Sequence, residues 1–471
     1  MQTSVVNYKD LNFEFRIDAE YYRAEVLKNI RLFDKKDNTV LSDLASFVIG
    51  PFGSTVTVDQ YVPCSNFRYV RNKDINNFQI SDDEQVYIPE QVYKALPQFH
   101  IKENDLLITV VGTLGKVAIA TKKDVSSIFS CKSTIIRAKK IDPFYLLAYL
   151  NSNTGQLFAL RGARGAIQQG LNLSDLKEIK VFLPSEDFQK TIRDIVSKAF
   201  VFTAEAENLY TQAEQTLLSE FGLLNWKPKH RLSFIKNFSD TQSADRIDAE
   251  YFQPMYDEVV KTLKTNFQAK PIGGYDFIDV TTGQYADEYV LPSEGKPYIR
   301  GTDLSKGTVS TESLVYIDKR KQKKSKIAKE GDVVVTRVGT IGLSARIPKG
   351  CDGGTISDNL IRLRFDGKNL NSFYTALYLG SVLGRNLMIG NSRGSVQQRL
   401  NQETLKEIIF PIPKMDIQNK IAEIVLLSDA KRKESKSLLN IAKRGIEMAI
   451  EKSEKEAQNW ISEGLNRLGI R

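Results

Sequence analysis

Glu103-Asn104-Asp105-Leu106-Leu107-Ile108-Thr109-Val110-Val111-Gly112-Thr113-Leu114-Gly115 is written a second time in this chain, as Glu330-Gly331-Asp332-Val333-Val334-Val335-Thr336-Arg337-Val338-Gly339-Thr340-Ile341-Gly342. Each is an apolar, partly β-branched run that closes on Gly-Thr-x-Gly, the pattern of a buried strand entering a tight turn. Lys116–Ala120 and Leu343–Ile347 read as the returning strands.

Outward from these runs the correspondence continues on both sides. Upstream, Arg16-Ile17-Asp18-Ala19-Glu20-Tyr21-Tyr22 returns as Arg246-Ile247-Asp248-Ala249-Glu250-Tyr251-Phe252, and Tyr69-Val70-Arg71 with Asp74 as Tyr298-Ile299-Arg300 with Asp303. Downstream, Arg164-Gly165-Ala166-Ile167-Gln168-Gln169-Gly170-Leu171-Asn172 returns as Arg393-Gly394-Ser395-Val396-Gln397-Gln398-Arg399-Leu400-Asn401, and Leu176–Ile179 as Leu405–Ile408. Arg16 to Arg246 is 230 positions, Tyr69 to Tyr298 is 229 and Glu103 to Glu330 is 227, with the order of blocks kept throughout. Such self-similarity at a fixed offset marks an internal duplication. The stretches between the matched blocks differ far more, which suits two similar sites that read different things.

Phe144–Leu150 and Phe373–Leu379 carry apolar residues at helical spacing, so each copy is mixed α and β with a strand-rich centre. A different texture follows each copy. Glu186–Glu220 has neither proline nor glycine, and Ile192, Ile195, Ala199, Phe202, Ala206, Leu209 and Ala213 alternate by three and four, a heptad stripe. Asp416–Ala457 is the matching tail, although Lys431–Lys436 interrupts its stripe. Pro184 and Pro413 punctuate the two helix entries, and Trp226 to Asp245 forms the linker to the second copy. A helix of about 35 residues at ~1.5 Å rise is roughly 50 Å long. At ~3.4 Å per step that is about 15 base pairs.

A chain of 471 residues exceeds one ordinary core, and 41% apolar with 26% charged residues is a globular composition. No stretch approaches the length of a membrane span, and Met1–Asp10 lacks the features of a secretory leader. Cys64, Cys131 and Cys351 are too few and too scattered for a disulfide framework or a zinc knuckle, so a reducing, cytoplasmic setting is expected. The net charge of +9 suits a polyanionic partner without requiring one.

Taken together, the Arg-Ile-Asp-Ala-Glu-Tyr openings, the strand-Gly-Thr-x-Gly turns, the Arg-Gly-x-x-Gln-Gln blocks and the helix after each copy resemble the specificity subunits of Type I restriction-modification systems, over nearly the whole chain. The resemblance implies an α+β fold of two tandem mixed α/β target-recognition domains, separated and followed by long coiled-coil helices in a pseudo-twofold repeat. The expected limits are 1–184 for the first recognition domain, 185–222 for the spacer helix and 223–267 for the linker and start of the second repeat. The second recognition domain is expected over 268–413, and the C-terminal helix and tail over 414–471. Each copy then reads half of a bipartite target in double-stranded DNA. The partners implied are two adenine-N6 methyltransferase subunits and a translocating restriction subunit. S-adenosylmethionine and ATP belong to those partners, and no cofactor belongs to this chain.

The candidate DNA contacts follow from the matched blocks. Thr113 with Lys116, and Thr340 with Arg337 and Arg346, stand at turns whose amides can approach a phosphate; the alternative is a plain tight turn needing positive φ. Arg164, Gln168 and Gln169 match Arg393, Gln397 and Gln398, with Arg399 added. Arg and Gln suit guanine, adenine or phosphate, but residues common to both copies cannot separate two half-sites, so phosphate contact or structural capping is the preferred reading. Base readers are expected in the diverged stretches Ser54–Arg68 and Gln284–Pro297. Lys321, Lys323 and Lys324 belong to the densest basic run, either a solvated face or a phosphate-tracking patch. Arg71 and Arg300 are further phosphate candidates, or ion-pair partners of Asp74 and Asp303. The Arg-Ile-Asp-Ala-Glu-Tyr segments are expected to form short amphipathic helices packed on the long ones, with methyltransferase docking as the alternative role.

No catalytic site or metal site is expected. His100 and His230 are the only histidines and neither recurs in the other copy. Asp142-Pro143-Phe144-Tyr145 faintly resembles a methyltransferase loop but reads as a helix start. The competing readings are a duplicated methyltransferase or nuclease with an unrecognised site, and a duplicated protein-interaction scaffold.

Overall fold

Leu106–Thr109 and Val333–Thr336 are buried at every position, as strands flanked by other strands and covered on both faces must be. The computed structural model describes residues 5, 6, 16, 18–165, 169–311, 314–394 and 398–470. The chain forms two compact units, one of residues 1–203 with 432–471 and the other of residues 204–431.

In the first unit the main sheet runs Ala45–Ile49, Ser133–Ala138, Leu106–Thr109, Val117–Ile119, Phe78–Gln79. All neighbours are antiparallel except the last pair. A small parallel sheet joins Arg68–Val70 to Ser127–Phe129. In the second unit the order is Ile278–Thr282, Leu360–Phe365, Val333–Thr336, Ser344–Arg346, Gly307–Val309, Leu304–Ser305. There Gly295–Ile299 pairs parallel with Thr355–Ile356 and antiparallel with Val315–Asp318.

Each unit lays a helix, Pro143–Leu150 or Ser372–Gly380, against its main sheet. The Asp142 carboxylate accepts hydrogen bonds from Phe144 N (2.9 Å) and Tyr145 N (3.0 Å), so this segment is a capped helix start as its sequence predicts. Both helices bury two tyrosines without stranding their hydroxyls. Tyr145 donates to Phe182 O at 2.9 Å, while Tyr374 and Tyr378 donate to Pro411 O (2.7 Å) and Ile409 O (2.8 Å). Satisfying each hydroxyl avoids the penalty of an unpaired buried donor.

The predicted long helices span Glu186–Glu220 and Met415–Glu451, the second followed by Glu454–Arg467. Lys431–Lys436 does not interrupt the helix. Ser435 occupies a buried position there, and its Oγ donates to Ala199 O (2.7 Å) within the first unit. In the second unit Ser428 Oγ donates to Ala206 O at 2.7 Å. Small hydroxyl residues thus take places where the sequence pattern lacks large apolar ones. Among the described residues no helix is long and apolar enough to cross a membrane.

Residues 19–22 and 249–252 are turns rather than helices, which begin only at Ala24 and Pro254, and Ile17 lies outside the described residues. Asp18 binds the Arg16 guanidinium at 2.8 Å and accepts from Tyr21 N at 3.0 Å. These local bonds compete with helical ones and win.

Candidate nucleic-acid interface

One end of the main sheet in each unit collects most of the candidate residues. In the first unit the strand Leu106–Thr109 runs out through Val110, whose N–H donates to Lys132 O (2.9 Å) and whose carbonyl accepts from Leu171 N (2.9 Å). Asn72 Nδ2 donates to Val111 O at 3.1 Å. The Gly-Thr-x-Gly turn is thereby held between the end of Arg68–Val70 on one side and the loop beginning at Arg164 on the other. That loop closes on itself by paired backbone bonds between Arg164 and Gly170, 3.0 and 2.8 Å.

The turn needs its glycines. Gly112 and Gly115 have φ of 84° and 77°, and Gly339 and Gly342 have 75° and 82°, a region that only glycine enters without strain. Thr109 Oγ1 accepts from Lys116 N at 3.0 Å and Thr336 Oγ1 from Leu343 N at 3.0 Å, pinning the turn from below. Thr113 and Thr340 project from the turn tips and are exposed.

The second unit repeats the strand end and the closed loop, with substitutions that change what holds them. Arg337 stands where Val110 does: its N–H donates to Asn359 O (3.0 Å) and its carbonyl accepts from Leu400 N (2.9 Å). Its guanidinium also binds Leu400 O (3.0 Å) and Asp358 O (3.1 Å). Arg337 is therefore a fastener between two loops. Arg393 and Arg399 close their loop by backbone bonds of 2.9 and 2.8 Å, and both side chains are exposed, as is Gln398.

The first-unit equivalents differ in charge pairing. Arg164 grips the buried Asp175 through Nε (3.1 Å) and Nη2 (2.8 Å). Thr404 takes the place of that carboxylate in the second unit, so the Arg393 guanidinium has no acid at that position. Gln169 is exposed, while Gln168 and Gln397 lie outside the described residues.

Arg71 and Arg300 are paired with the buried carboxylates of Asp74 and Asp303, each at 3.0 Å through Nη2, which is the ion-pair alternative of the sequence reading. Behind each stands a pair of tyrosines. Tyr61 and Tyr69 have ring centroids 5.8 Å apart, and Tyr289 and Tyr298 6.1 Å apart. Burial pushes the Tyr298 hydroxyl up to about 12, so it stays protonated and donates to Gln284 O at 2.8 Å. Sequence reasoning missed the Tyr61–Tyr289 correspondence because it sits in a stretch that otherwise diverges.

Lys116 reaches Asn76 Oδ1 at 3.1 Å, beside the turn. Arg346 does not share that place. It pairs in register with Val333 at the far end of the hairpin, stacks over the Phe373 ring at 4.5 Å and donates to Ser372 Oγ at 2.9 Å. Leu343 is the true equivalent of Lys116, because it is the residue that follows Gly342. The basic run folds as two short turns, Lys319–Lys321 and Lys324–Lys326. Lys321, Lys323 and Lys324 are exposed, and Lys321 pairs with Glu288. Lys323 N donates to the buried Gln284 (2.8 Å), whose carbonyl accepts from Asp358 N (3.0 Å), which joins the run to Arg337 and the Arg393 loop.

The Arg-Ile-Asp-Ala-Glu-Tyr turns reach this end of the sheet through their arginines. Arg246 donates to the helix-terminal carbonyls of Asn391 (3.1 Å) and Ser392 (2.9 Å), immediately before Arg393. Arg16 makes the same approach to Gly162 O (3.4 Å) and Ala163 O (3.5 Å), immediately before Arg164. A cation at carbonyls left open by a helix end is favourable on both hydrogen-bonding and dipole grounds.

Residues 6–215 and 275–437 match the family model described as Type I restriction modification DNA specificity domain. The chain belongs to that family. Such specificity subunits recognise DNA in the company of other restriction-modification subunits and are not themselves enzymes. Among curated proteins, the chain is 20% identical over 460 residues to a putative type I restriction enzyme MjaX specificity subunit of Methanocaldococcus jannaschii, covering 95% of this chain and 98% of that one. It is 26% identical over 145 residues to the type I restriction enzyme EcoBI specificity subunit of Escherichia coli, 31% of each chain. Among solved structures it is similar to a Type I system S subunit from M. genitalium, with a TM-score of 0.37, 14% identity and coverage of 90% and 95%. An HsdS subunit from Thermoanaerobacter tengcongensis gives a TM-score of 0.30, 15% identity and coverage of 88% and 97%. Among the described residues no group of three or more His, Cys, Asp or Glu is placed to hold a metal ion.

Proposed function

We propose that this specificity subunit reads a bipartite target in double-stranded DNA, one half through each unit, and presents it to two adenine-N6 methyltransferase subunits. One observation carries the reading: each unit, taken separately, gathers a glycine turn, an Arg loop and an Arg–Asp pair at one end of its sheet, while the adjoining segments 54–68 and 284–297 differ. The shared parts suit the phosphate backbone, which is alike at every site, and the differing parts suit base edges.

Thr113, Lys116, Arg164 and Gln169, with Arg71 beside them, form the backbone-contacting set of the first unit. Thr340, Arg393, Gln398 and Arg399, with Arg300 and the lysines at 321, 323 and 324, form that of the second. Arg337 holds its loops, and Arg346 belongs to the hairpin's other end. The long helices act as a coiled-coil spacer, so that two short half-sites flank a fixed unread gap. The buried serines at 428 and 435, each bonded to a carbonyl of Glu186–Glu220, support this part of the reading.

The test is co-expression with a candidate adenine-N6 methyltransferase subunit from the same genome, followed by genome-wide mapping of N6-methyladenine. The expected result is a split motif with a constant gap, no methylation by the chain alone, and DNA affinity that falls steeply with salt. Methylation by the isolated chain supports a duplicated enzyme instead, and partner binding indifferent to salt and DNA supports a scaffold.

A further inference from the structure

The geometry points to Phe52 and Tyr285 as a matched pair of aromatic side chains that enter the DNA and pack on a base face, one in each half of the target. The inference rests on the proposed function above, and names residues that the matched sequence blocks do not contain.

Both rings stand in open solvent, Phe52 87% and Tyr285 71% exposed. A single exposed aromatic is unremarkable. Two at the same place in two copies are not. Ala45–Ile49 and Ile278–Thr282 are the matched edge strands of the two main sheets, and counting on from each gives Gly50 and Gly283, Pro51 and Gln284, Phe52 and Tyr285. The correspondence is hidden from a fixed-offset search, because 52 and 285 are 233 positions apart and the flanking sequence has diverged.

Each ring is also held out by what precedes it. The glycine lies so close to the neighbouring loop that an added Cβ at Gly50 would overlap Ser130 O, and one at Gly283 would overlap Ser357 O. The next residue is buried, Pro51 or Gln284. Gln284 N donates to Ile356 O at 3.0 Å and its side chain donates to Lys321 O at 3.0 Å. With its backbone fixed on both sides, residue 52 or 285 is left with solvent as its neighbour.

The surroundings argue for DNA as the occupant. Ser130–Ser133, the loop under Phe52, carries the exposed Lys132, and its carbonyl holds Val110 at the root of the Gly112 turn. Tyr285 follows Gln284, which binds Lys321 O and Lys323 N and, through Asp358, connects to Arg337. Each exposed ring thus adjoins a segment bonded to a lysine-bearing loop, Lys321 being paired in turn with Glu288, and a flat aromatic face so placed suits a polyanion with buried flat faces. Side chains of this kind wedge at base steps or stack on single bases.

Duplexes selected from a random library by the wild-type chain in complex with its methyltransferase serve as the probe, with thymines scanned through both halves for permanganate reactivity. Base–aromatic stacking is worth a loss of roughly 5- to 150-fold in affinity per ring removed. F52A and Y285A are expected to weaken binding by that order and to quench permanganate reactivity in one half each, while F52Y and Y285F retain both. Unchanged DNA affinity and reactivity in F52A and Y285A overturn the inference and leave the bipartite reading standing. So does a defect confined to association with the methyltransferase. Failure of the wild-type complex to select any DNA overturns the inference together with the reading beneath it.

Discussion

Removing the Arg246 side chain should loosen the Arg393 loop without unfolding the sheet beneath it. The guanidinium is only 9% exposed. It donates to Asn391 O at 3.1 Å and Ser392 O at 2.9 Å, and lies 4.3 Å over the Tyr251 ring. Hydrogen bonds from a charged donor contribute about 1.5–3 kcal/mol each and a cation–π contact about 0.5–1 kcal/mol, sums that are never fully realised. The ion pair to Asp248, a carboxylate 47% exposed, adds little. Discounting for the entropy of fixing a long side chain, R246A should cost about 2–3 kcal/mol locally, or roughly a 30- to 150-fold rise in local opening. The assay is hydrogen exchange at the amides of Arg393, Arg399 and Leu400, all bonded within this end of the unit. Those amides should exchange faster by that factor, while Val333–Thr336 stays protected. R246K, which keeps the charge but not the fork, should fall between. Equal protection of Arg393, Arg399 and Leu400 in R246A and wild type would refute the idea that this turn holds the loop.

Three further outcomes follow from particular contacts. R393A should weaken DNA binding and flatten its salt dependence by about one counterion with stability unchanged, whereas R164A, which breaks the pair with Asp175, should also cost about 1–2 kcal/mol in urea unfolding. Ser435→Ala removes the bond to Ala199 O and strips Thr203 Oγ1 of a partner 2.8 Å away; a loss of about 1 kcal/mol is expected by the same measurement. Gly283→Ala pushes a methyl into Ser357 O and Ile356 O, and since Ile356 O is already engaged by Gln284 N, a loss of about 2–3 kcal/mol should appear as a lower Tm.

Elements with one strong period are plain in the sequence. Glu186–Glu220 combines a three-and-four stripe with the absence of Gly and Pro, and a single helix spans those same residues. The strand-Gly-Thr-x-Gly runs are equally plain, since burial on both faces demands apolar residues and the turn demands glycine. The Arg-Ile-Asp-Ala-Glu-Tyr segments are misread as helices because their apolar spacing is compatible with one, while the deciding factor is Asp18 binding Arg16 and the Tyr21 amide. Arg346 is misplaced for another reason: it is close in sequence to the turn, but a strand extends about 3.3 Å per residue, so Val333, its partner in register, lies at the opposite end. Asp175 and Thr404 escape notice because an ion pair across a loop leaves no periodic trace. Phe52 and Tyr285 escape it because only the sheet aligns them.

The central claim is that the two units read DNA independently. The direct test replaces residues 268–411 with the corresponding stretch of another specificity subunit of this family, co-expresses the chimaera with its methyltransferase and maps N6-methyladenine across the genome. The account predicts a split motif in which one half is exchanged while the other half and the gap are kept. A motif unchanged by the exchange, or altered in both halves at once, would contradict it.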